Sequence, residues 1–191
     1  SQLARKRGGA EDSRMLVVIG KPKDGKGRVY SLPSVLDIDA RKSAIDLLSK
    51  MEKDQKYKSF IPTESLPNRS LGFSVQRYGI KFWRDLYSPR QLVTQIIASE
   101  QVNNIKDPLV KTILSLVVSK WADRNCSLAG WDPNNGYFKD TFALQTINIT
   151  WDFVEIVPFS RDGGPNWLLR VKDTIRGVSS AKLGIESGDV T

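Results

Sequence analysis

Two segments in the second half of the chain have apolar residues at the three- and four-residue spacing of an amphipathic helix. The first is predicted to run from Ser88 to about Val102, and the second from Asp107 to about Asn125. The apolar face of the first helix consists of Leu92, Val93, Ile96 and Ile97. The apolar face of the second consists of Leu109, Ile113, Leu116, Val117 and Trp121. We expect both faces to lie in the core.

Both helices have clear start signals. Ser88 and Asp107 are at N-cap positions, and a proline follows each of them at the first helical position. Gln91 comes three residues after Ser88 and can complete a capping box. The free N–H groups of such a helix start also favour an anion, so the stretch around Ser88 has two interpretations: a plain cap or the edge of a ligand site.

The first part of the chain predicts a β-hairpin and a helix after a flexible, charged lead-in at residues 1–14. Two runs rich in β-branched residues, 16–19 and 28–32, flank a turn that contains Asp24, Gly25 and Gly27. Four cations lie in or beside the turn: Lys21, Lys23, Lys26 and Arg28. This basic loop is either a solvated turn or a phosphate-contacting loop.

Asp39 is expected to cap the helix that follows, from about Ala40 to Lys53. Its buried stripe would consist of Ile45, Leu48 and Met51. Prolines and polar residues then predict a linker, with a subdomain boundary near 60–72. We therefore divide the chain into the lead-in, a hairpin-helix subdomain with its linker (15–68) and a second region (69–191).

The C-terminal third is less regular. Residues 146–157 alternate like a strand but also fit helical spacing, and we favour extended structure. A helix is expected from about Pro165 to Arg176 after a double-glycine turn. We then expect a short strand that enters a turn at Gly188 and Asp189, which would place Asp189 at the carboxyl end of a strand, where ligands of open α/β sheets bind.

The composition of the chain limits which classes of protein and which kinds of site are possible. With 191 residues, 40% of them apolar and 26% charged, the chain is a globular protein of one domain or one domain and a smaller subdomain. No apolar run is long enough for a membrane span. A single cysteine excludes an intrachain disulfide and fits a cytoplasmic protein. Because histidine is absent, a zinc site and a Ser-His or Cys-His nucleophile pair are excluded within the chain.

The net charge of +8 and the isoelectric point of about 9.6 favour polyanionic partners. The stretch "QRYGIKFWRDLY" interleaves cations with aromatic rings, as nucleic-acid surfaces do. Its candidate DNA-binding residues are Arg77, Lys81, Trp83 and Arg84. The alternative is a partly buried aromatic cluster with basic side chains that reach from it to solvent.

Three segments resemble a known family: "LGFSVQRYGIKFWRDLYSPRQLVTQI", "SKWADRNCSLAGWDP" and "TWDFVEIVPFS". They are similar to the middle of large prokaryotic adenine-specific DNA methylases, over about residues 70–191. The resemblance implies a partial Rossmann-like, S-adenosylmethionine-dependent methyltransferase region, with the hairpin-helix subdomain before it. The glycine-rich cofactor motif and the Asp-Pro-Pro-Tyr catalytic motif of the family do not occur in this sequence, so no catalytic residue is assigned.

By this resemblance, the stretch from Tyr87 through Ser88 and Pro89 to Arg90 looks like the turn that contacts the methionine end of S-adenosylmethionine. Asp189 looks like the acidic residue that accepts from the adenine amino group of the cofactor. Val157 stands where the family has Asn, which removes a polar contact from that position.

Two hypotheses follow. The chain is a fragment of a DNA adenine methyltransferase that contributes part of the cofactor pocket and a basic DNA-facing surface, and it is inactive alone. Alternatively, it is a non-catalytic nucleic-acid-binding or assembly module that works with a partner that supplies the missing motifs. The expected partners are DNA and either the remainder of the methyltransferase polypeptide or a partner subunit. A scaffold domain without a ligand is the plainest alternative to both.

Overall fold

The computed structural model describes residues 10, 13–24, 26–67, 75–134, 137–144, 146–159 and 166–187. It contains four α-helices and two small β-hairpins within these ranges. The strands are β1 (Val18–Gly20), β2 (Val29–Ser31), β3 (Trp131–Asp132) and β4 (Tyr137–Phe138). The helices are α1 (Val35–Lys53), α2 (Pro89–Asn103), α3 (Pro108–Arg124) and α4 (Trp167–Ser187).

The N-terminal hairpin is confirmed. β1 and β2 pair antiparallel with Val18 opposite Ser31, Ile19 opposite Tyr30 and Gly20 opposite Val29. Gly27 has a φ of 75°, a left-handed conformation that glycine adopts without a Cβ clash, so it suits the turn.

The helix after the hairpin starts earlier than the sequence indicated. Asp39 is not its cap, because α1 begins at Val35 and Ser34 is the N-cap. The Ser34 hydroxyl accepts from the Asp37 N–H at 3.4 Å, and the Asp37 carboxylate accepts from the Ser34 N–H at 2.8 Å. This capping box satisfies two N–H groups of the helix start. Of the predicted stripe, Met51 is buried, Leu48 is half-buried and Ile45 is exposed.

The second and third helices have the predicted bounds and caps. The apolar face of α2 is buried as expected except at Ile97. In α3, only Val117 and Trp121 of the predicted face are buried, whereas Leu109 is 65% and Leu116 is 49% exposed. Between Pro108 and Leu116 no residue is fully buried, and Ile113 of the predicted face is half-buried.

The C-terminal third has one helix where a helix and a strand were expected. α4 starts at Trp167 and continues to Ser187, so the prediction of a strand before the turn at residue 188 is wrong. Gly177 lies within α4, where a Cβ would meet nothing within 4 Å, so this glycine is an open, tolerated position. Asp189 lies outside the described residues, and the helix removes the strand on which its predicted placement rested.

Residues 146–159 form neither a helix nor a strand. Apart from a single bridge at Ile147 the segment is irregular, with bends at Trp151 and Asp152 and a turn at Pro158 and Phe159, so the helical alternative is wrong and the favoured strand does not form. This extended segment, 146–159, is anchored by Ile147, which is buried.

The chain is a mixed α/β protein in which the helices pack in chain order, α1 on α2, α2 on α3 and α3 on α4. The described strands form only two antiparallel two-stranded sheets, β1 with β2 and β3 with β4. A Rossmann-like region needs parallel strands, and the described ranges contain none.

Two hydrophobic clusters form the core. One joins α1 to α2 and consists of Met51, Ile61, Leu92, Val93 and Ile96. The other lies under the start of α2 and the end of α3 and consists of Leu66, Val75, Ile80, Leu86, Cys126, Leu128, Ala129 and Ile147. Tyr87 packs against both clusters, so this residue connects them.

Candidate nucleic-acid interface and the junction behind it

The start of α2 is closed by its own side chains. The Ser88 hydroxyl accepts from the Gln91 N–H at 3.3 Å, and the Gln91 carboxamide oxygen accepts from the Ser88 N–H at 2.9 Å. Pro89 has no N–H to offer, so Arg90 has the one remaining orphan donor of the helix start. Ser88 and Gln91 are each 1% exposed, and solvent therefore does not reach the cap.

Behind this cap, the three segments that resemble the methylases meet at Asn125, which is buried. The Asn125 side-chain oxygen accepts from the Gln91 carboxamide at 3.3 Å and from the Ile156 N–H at 2.9 Å. These partners are 34 and 31 residues away in the sequence. A single amide oxygen thus ties α2, the end of α3 and the extended segment into one junction.

Further contacts hold the same junction. The Arg90 guanidinium pairs with the Glu155 carboxylate at 2.5–2.6 Å. The Ser127 hydroxyl donates to the Leu86 carbonyl oxygen at 2.7 Å. The Thr150 hydroxyl donates to the Leu128 carbonyl oxygen at 3.0 Å. The extended segment is therefore fixed along most of its length.

Tyr87 lies deep in the junction, and its hydroxyl donates to the Ala122 carbonyl oxygen at 3.2 Å. Burial, and then the nearby Cys126 and Asp123, raise the pKa of the Tyr87 phenol above its usual range. Burial likewise raises the pKa of the Cys126 thiol to about 11, so this cysteine is an unreactive core residue.

A network of charges stabilises the other side of α3. Asp140 accepts from Arg124 at 2.5 Å and pairs with Lys120 at 3.2 Å. Although burial opposes ionisation, the Arg124 and Lys120 partners keep the pKa of the Asp140 carboxyl below its usual value. Because each charge has an opposite partner, this network is structural. No group of three or more His, Cys, Asp or Glu in the described ranges could hold a metal ion.

The predicted DNA-binding residues divide into two pairs. Arg77 and Lys81 are exposed and free to contact a phosphate. Arg84 pairs with Glu52 of α1, and Trp83 is half-buried against the second cluster and against Phe142. Trp83 and Arg84 therefore fit the alternative of a partly buried aromatic cluster. Arg77 and Lys81 fit a nucleic-acid-binding surface.

The structure adds an aromatic residue that was assigned from the sequence to an alternating run and not to the nucleic-acid surface. Trp151 is 68% exposed, and its ring meets the Tyr78 ring edge-to-face at a centroid distance of 5.3 Å. Tyr78 is the neighbour of Arg77 in a 3₁₀ turn, Val75–Tyr78. The exposed indole therefore packs on a ring that two exposed cations flank in the sequence, Arg77 and Lys81. Rings and cations together suit a stacking surface, and we call these four residues the Trp151 platform (Arg77, Tyr78, Lys81 and Trp151).

The residues at the predicted cofactor turn do not fit the methionine carboxylate of S-adenosylmethionine. Ser88 and Pro89 are buried, the Tyr87 hydroxyl already donates to a backbone carbonyl, and Arg90 already pairs with a carboxylate. A ligand carboxylate needs free donors, and this helix start has one at most. The cofactor role of Tyr87, Ser88, Pro89, Arg90 and Asp189 remains a prediction from the resemblance.

Comparison of the chain with protein-family models, with curated proteins and with solved structures finds no match. Within the described part of the chain, none of the helices has the length and apolar character needed to cross a lipid bilayer.

Proposed function

We propose that this chain is a DNA-facing region of an adenine-specific DNA methyltransferase, which binds DNA and leaves the chemistry to other parts of the enzyme. The Trp151 platform is the observation that carries the proposal, because it combines an exposed ring with two free cations. The net charge of +8 supports the same partner. The resemblance of the three segments supplies the enzyme class.

The platform suits an enzyme that takes its target base out of the duplex. Such an enzyme offsets the loss of base stacking with contacts to side-chain rings. Arg77 and Lys81 hold the phosphates in this proposal, and Trp151 stacks on an unpaired base.

In the complete enzyme, S-adenosylmethionine supplies the methyl group. Since the start of α2 does not fit its carboxylate, we assign the cofactor to the remainder of the methyltransferase polypeptide or to a partner subunit, together with the Rossmann-like sheet. The junction around Asn125 positions the platform relative to α2 and α3.

The second candidate function is a non-catalytic nucleic-acid-binding or assembly module. It is favoured by the exposed apolar side chains of α3 and of the extended segment, such as Leu109, Leu116 and Phe159. Both candidates share DNA binding and leave methyl transfer to components outside this chain, but they differ in whether the chain is part of the methyltransferase itself or a separate module that a partner joins.

DNA binding is tested by titrating a fluorescein-labelled oligonucleotide, as duplex and as single strand, at several salt concentrations. Arg77→Ala/Lys81→Ala is expected to reduce the salt slope for the duplex by about two, since each phosphate contact contributes about 0.9. Trp151→Ala is expected to weaken single-strand binding by roughly 5- to 150-fold, the usual effect of losing one stacking ring.

The matched control is Lys106→Ala/Lys172→Ala, which removes two exposed cations from other parts of the chain. It should leave the salt slope nearly unchanged. Equal effects of the two double variants, or a flat titration of the wild type at low salt, would contradict the proposal. Transfer of labelled methyl groups to DNA by this chain alone would contradict the assignment of the chemistry elsewhere.

A further inference from the structure

The N-terminal hairpin and the first turns of α1 expose a set of large apolar side chains. We call this set the hairpin face, and it consists of Leu16, Val17, Val29, Tyr30, Leu32, Val35, Leu36 and Ile38. Because side chains alternate along a strand, those of the hairpin lie on both of its faces. Leu32 is 84%, Leu36 is 80% and Val35 is 73% exposed. Extension of the β1–β2 register places Val17 opposite Leu32, so these side chains of the two strands are neighbours. Apolar patches beyond a few hundred Å² are rare on monomers and mark interaction sites.

The second strand of this hairpin also has an open edge. Within the described ranges, β2 pairs only with β1, and all three of its residues are exposed. An isolated two-stranded hairpin is marginal in water, and an open edge is a template for pairing with another strand. Arg28, directly before β2, anchors the start of this strand to the β3–β4 hairpin. Its guanidinium lies 5.2 Å from the Trp131 ring centroid and donates to the Pro133 carbonyl oxygen.

We propose that the chain forms a twofold homodimer in which β2 pairs antiparallel with β2 of a second copy, centred on Tyr30. The pairing turns two hairpins into one four-stranded sheet and covers the open edge of β2 on both copies. Val29 and Tyr30 then contact side chains of the partner strand.

Charge favours this occupant and this orientation. The exposed lysines of the hairpin tip, Lys21, Lys23 and Lys26, lie at one end of β2, and the first turn of α1, in which Asp37 is the charged residue, lies beyond the other end. Antiparallel pairing about a twofold axis therefore separates the two basic tips and directs each towards Asp37 of the other copy. Parallel pairing would bring the two basic tips together.

The dimer is tested first by cross-linking. In Tyr30→Cys, the two introduced thiols face each other across the twofold axis, and Cys126 does not compete because it is fully buried. Mild oxidation should convert most of this variant into a covalent dimer on a non-reducing gel. Leu116→Cys, at a similarly exposed apolar position on α3, is the matched control and should remain largely monomeric. Equal cross-linking of the two variants would overturn the proposal.

Sedimentation velocity over a concentration series provides the second test. The wild type should reach twice the monomer mass, and Tyr30→Lys should raise the dissociation constant roughly a hundredfold or more, since it places two like charges face to face. Ile175→Lys, on the exposed side of α4, should leave the dimer intact. A wild type that is monomeric at every concentration overturns the dimer, whatever the outcome of the DNA titrations.

Discussion

At the scale of single residues, the junction depends on the side chain of Asn125. One buried oxygen accepts from two donors that reach it from α2 and from the extended segment. A buried donor that loses its acceptor has given up its hydrogen bonds to water without a replacement. The Asn125 amide therefore contributes more to the free energy of unfolding than the net value of two hydrogen bonds.

Asn125→Ala is expected to lower the free energy of unfolding by roughly 2 to 4 kcal/mol, because it leaves the Gln91 carboxamide and the Ile156 N–H without their acceptor. Urea denaturation measures the change. Asn148→Ala, which removes an exposed amide bonded only weakly to Thr146, is the control and should change stability little. Similar losses in the two variants would show that the junction does not depend on Asn125.

Sequence could not have predicted this role. The motif around Asn125 is recognisable, but an asparagine at the end of a helix commonly caps its own turn, and nothing local indicates partners more than 30 residues away. The same limit applies to Arg90, whose ion pair with Glu155, 65 residues away, has no local signal in the sequence. Long-range partners of polar groups depend on the packing, which one-dimensional patterns do not contain.

At the scale of elements, the predictions succeeded where the start signals are local. The starts of α2 and α3 follow from Ser88-Pro89 and Asp107-Pro108, whose caps act within four residues. The start of α1 was misplaced because Asp39 and Ser34 are both good caps, and only the structure shows that Asp37 completes the box with Ser34. The end of α4 was misplaced because the helix continues past the predicted end at Arg176 through Gly177, which is tolerated inside it.

The two capping boxes differ chiefly in burial, and this permits a matched comparison. Ser88→Ala is expected to cost about 1–2 kcal/mol, at the upper end for N-caps, since the freed Gln91 N–H lies away from water. Ser34→Ala should cost about 0.5–1 kcal/mol, because water replaces the hydroxyl at that exposed helix start. Denaturation of the two variants side by side gives the order. A larger loss in Ser34→Ala would mean that burial does not govern the value of the cap.

At the scale of the whole molecule, the two hydrophobic clusters meet at Tyr87. One cluster supports α1 against α2, and the other supports the junction behind the Trp151 platform. The ring of Tyr87 touches both, and its hydroxyl also bonds to the end of α3 through Ala122. We infer that Tyr87, which was predicted at the cofactor turn, couples the two halves of the chain so that they unfold together.

This inference predicts different results for two substitutions at one position. Tyr87→Phe keeps the ring and loses one hydrogen bond, so it should cost about 0.5–1.5 kcal/mol and preserve a single unfolding transition. Tyr87→Ala removes the contact between the clusters and should cost about 3–5 kcal/mol. Because the halves then lose their shared side chain, far-ultraviolet circular dichroism and tryptophan fluorescence should give separate midpoints. Coincident midpoints in Tyr87→Ala would mean that other contacts, such as the α2–α3 packing, suffice to make the chain one cooperative unit.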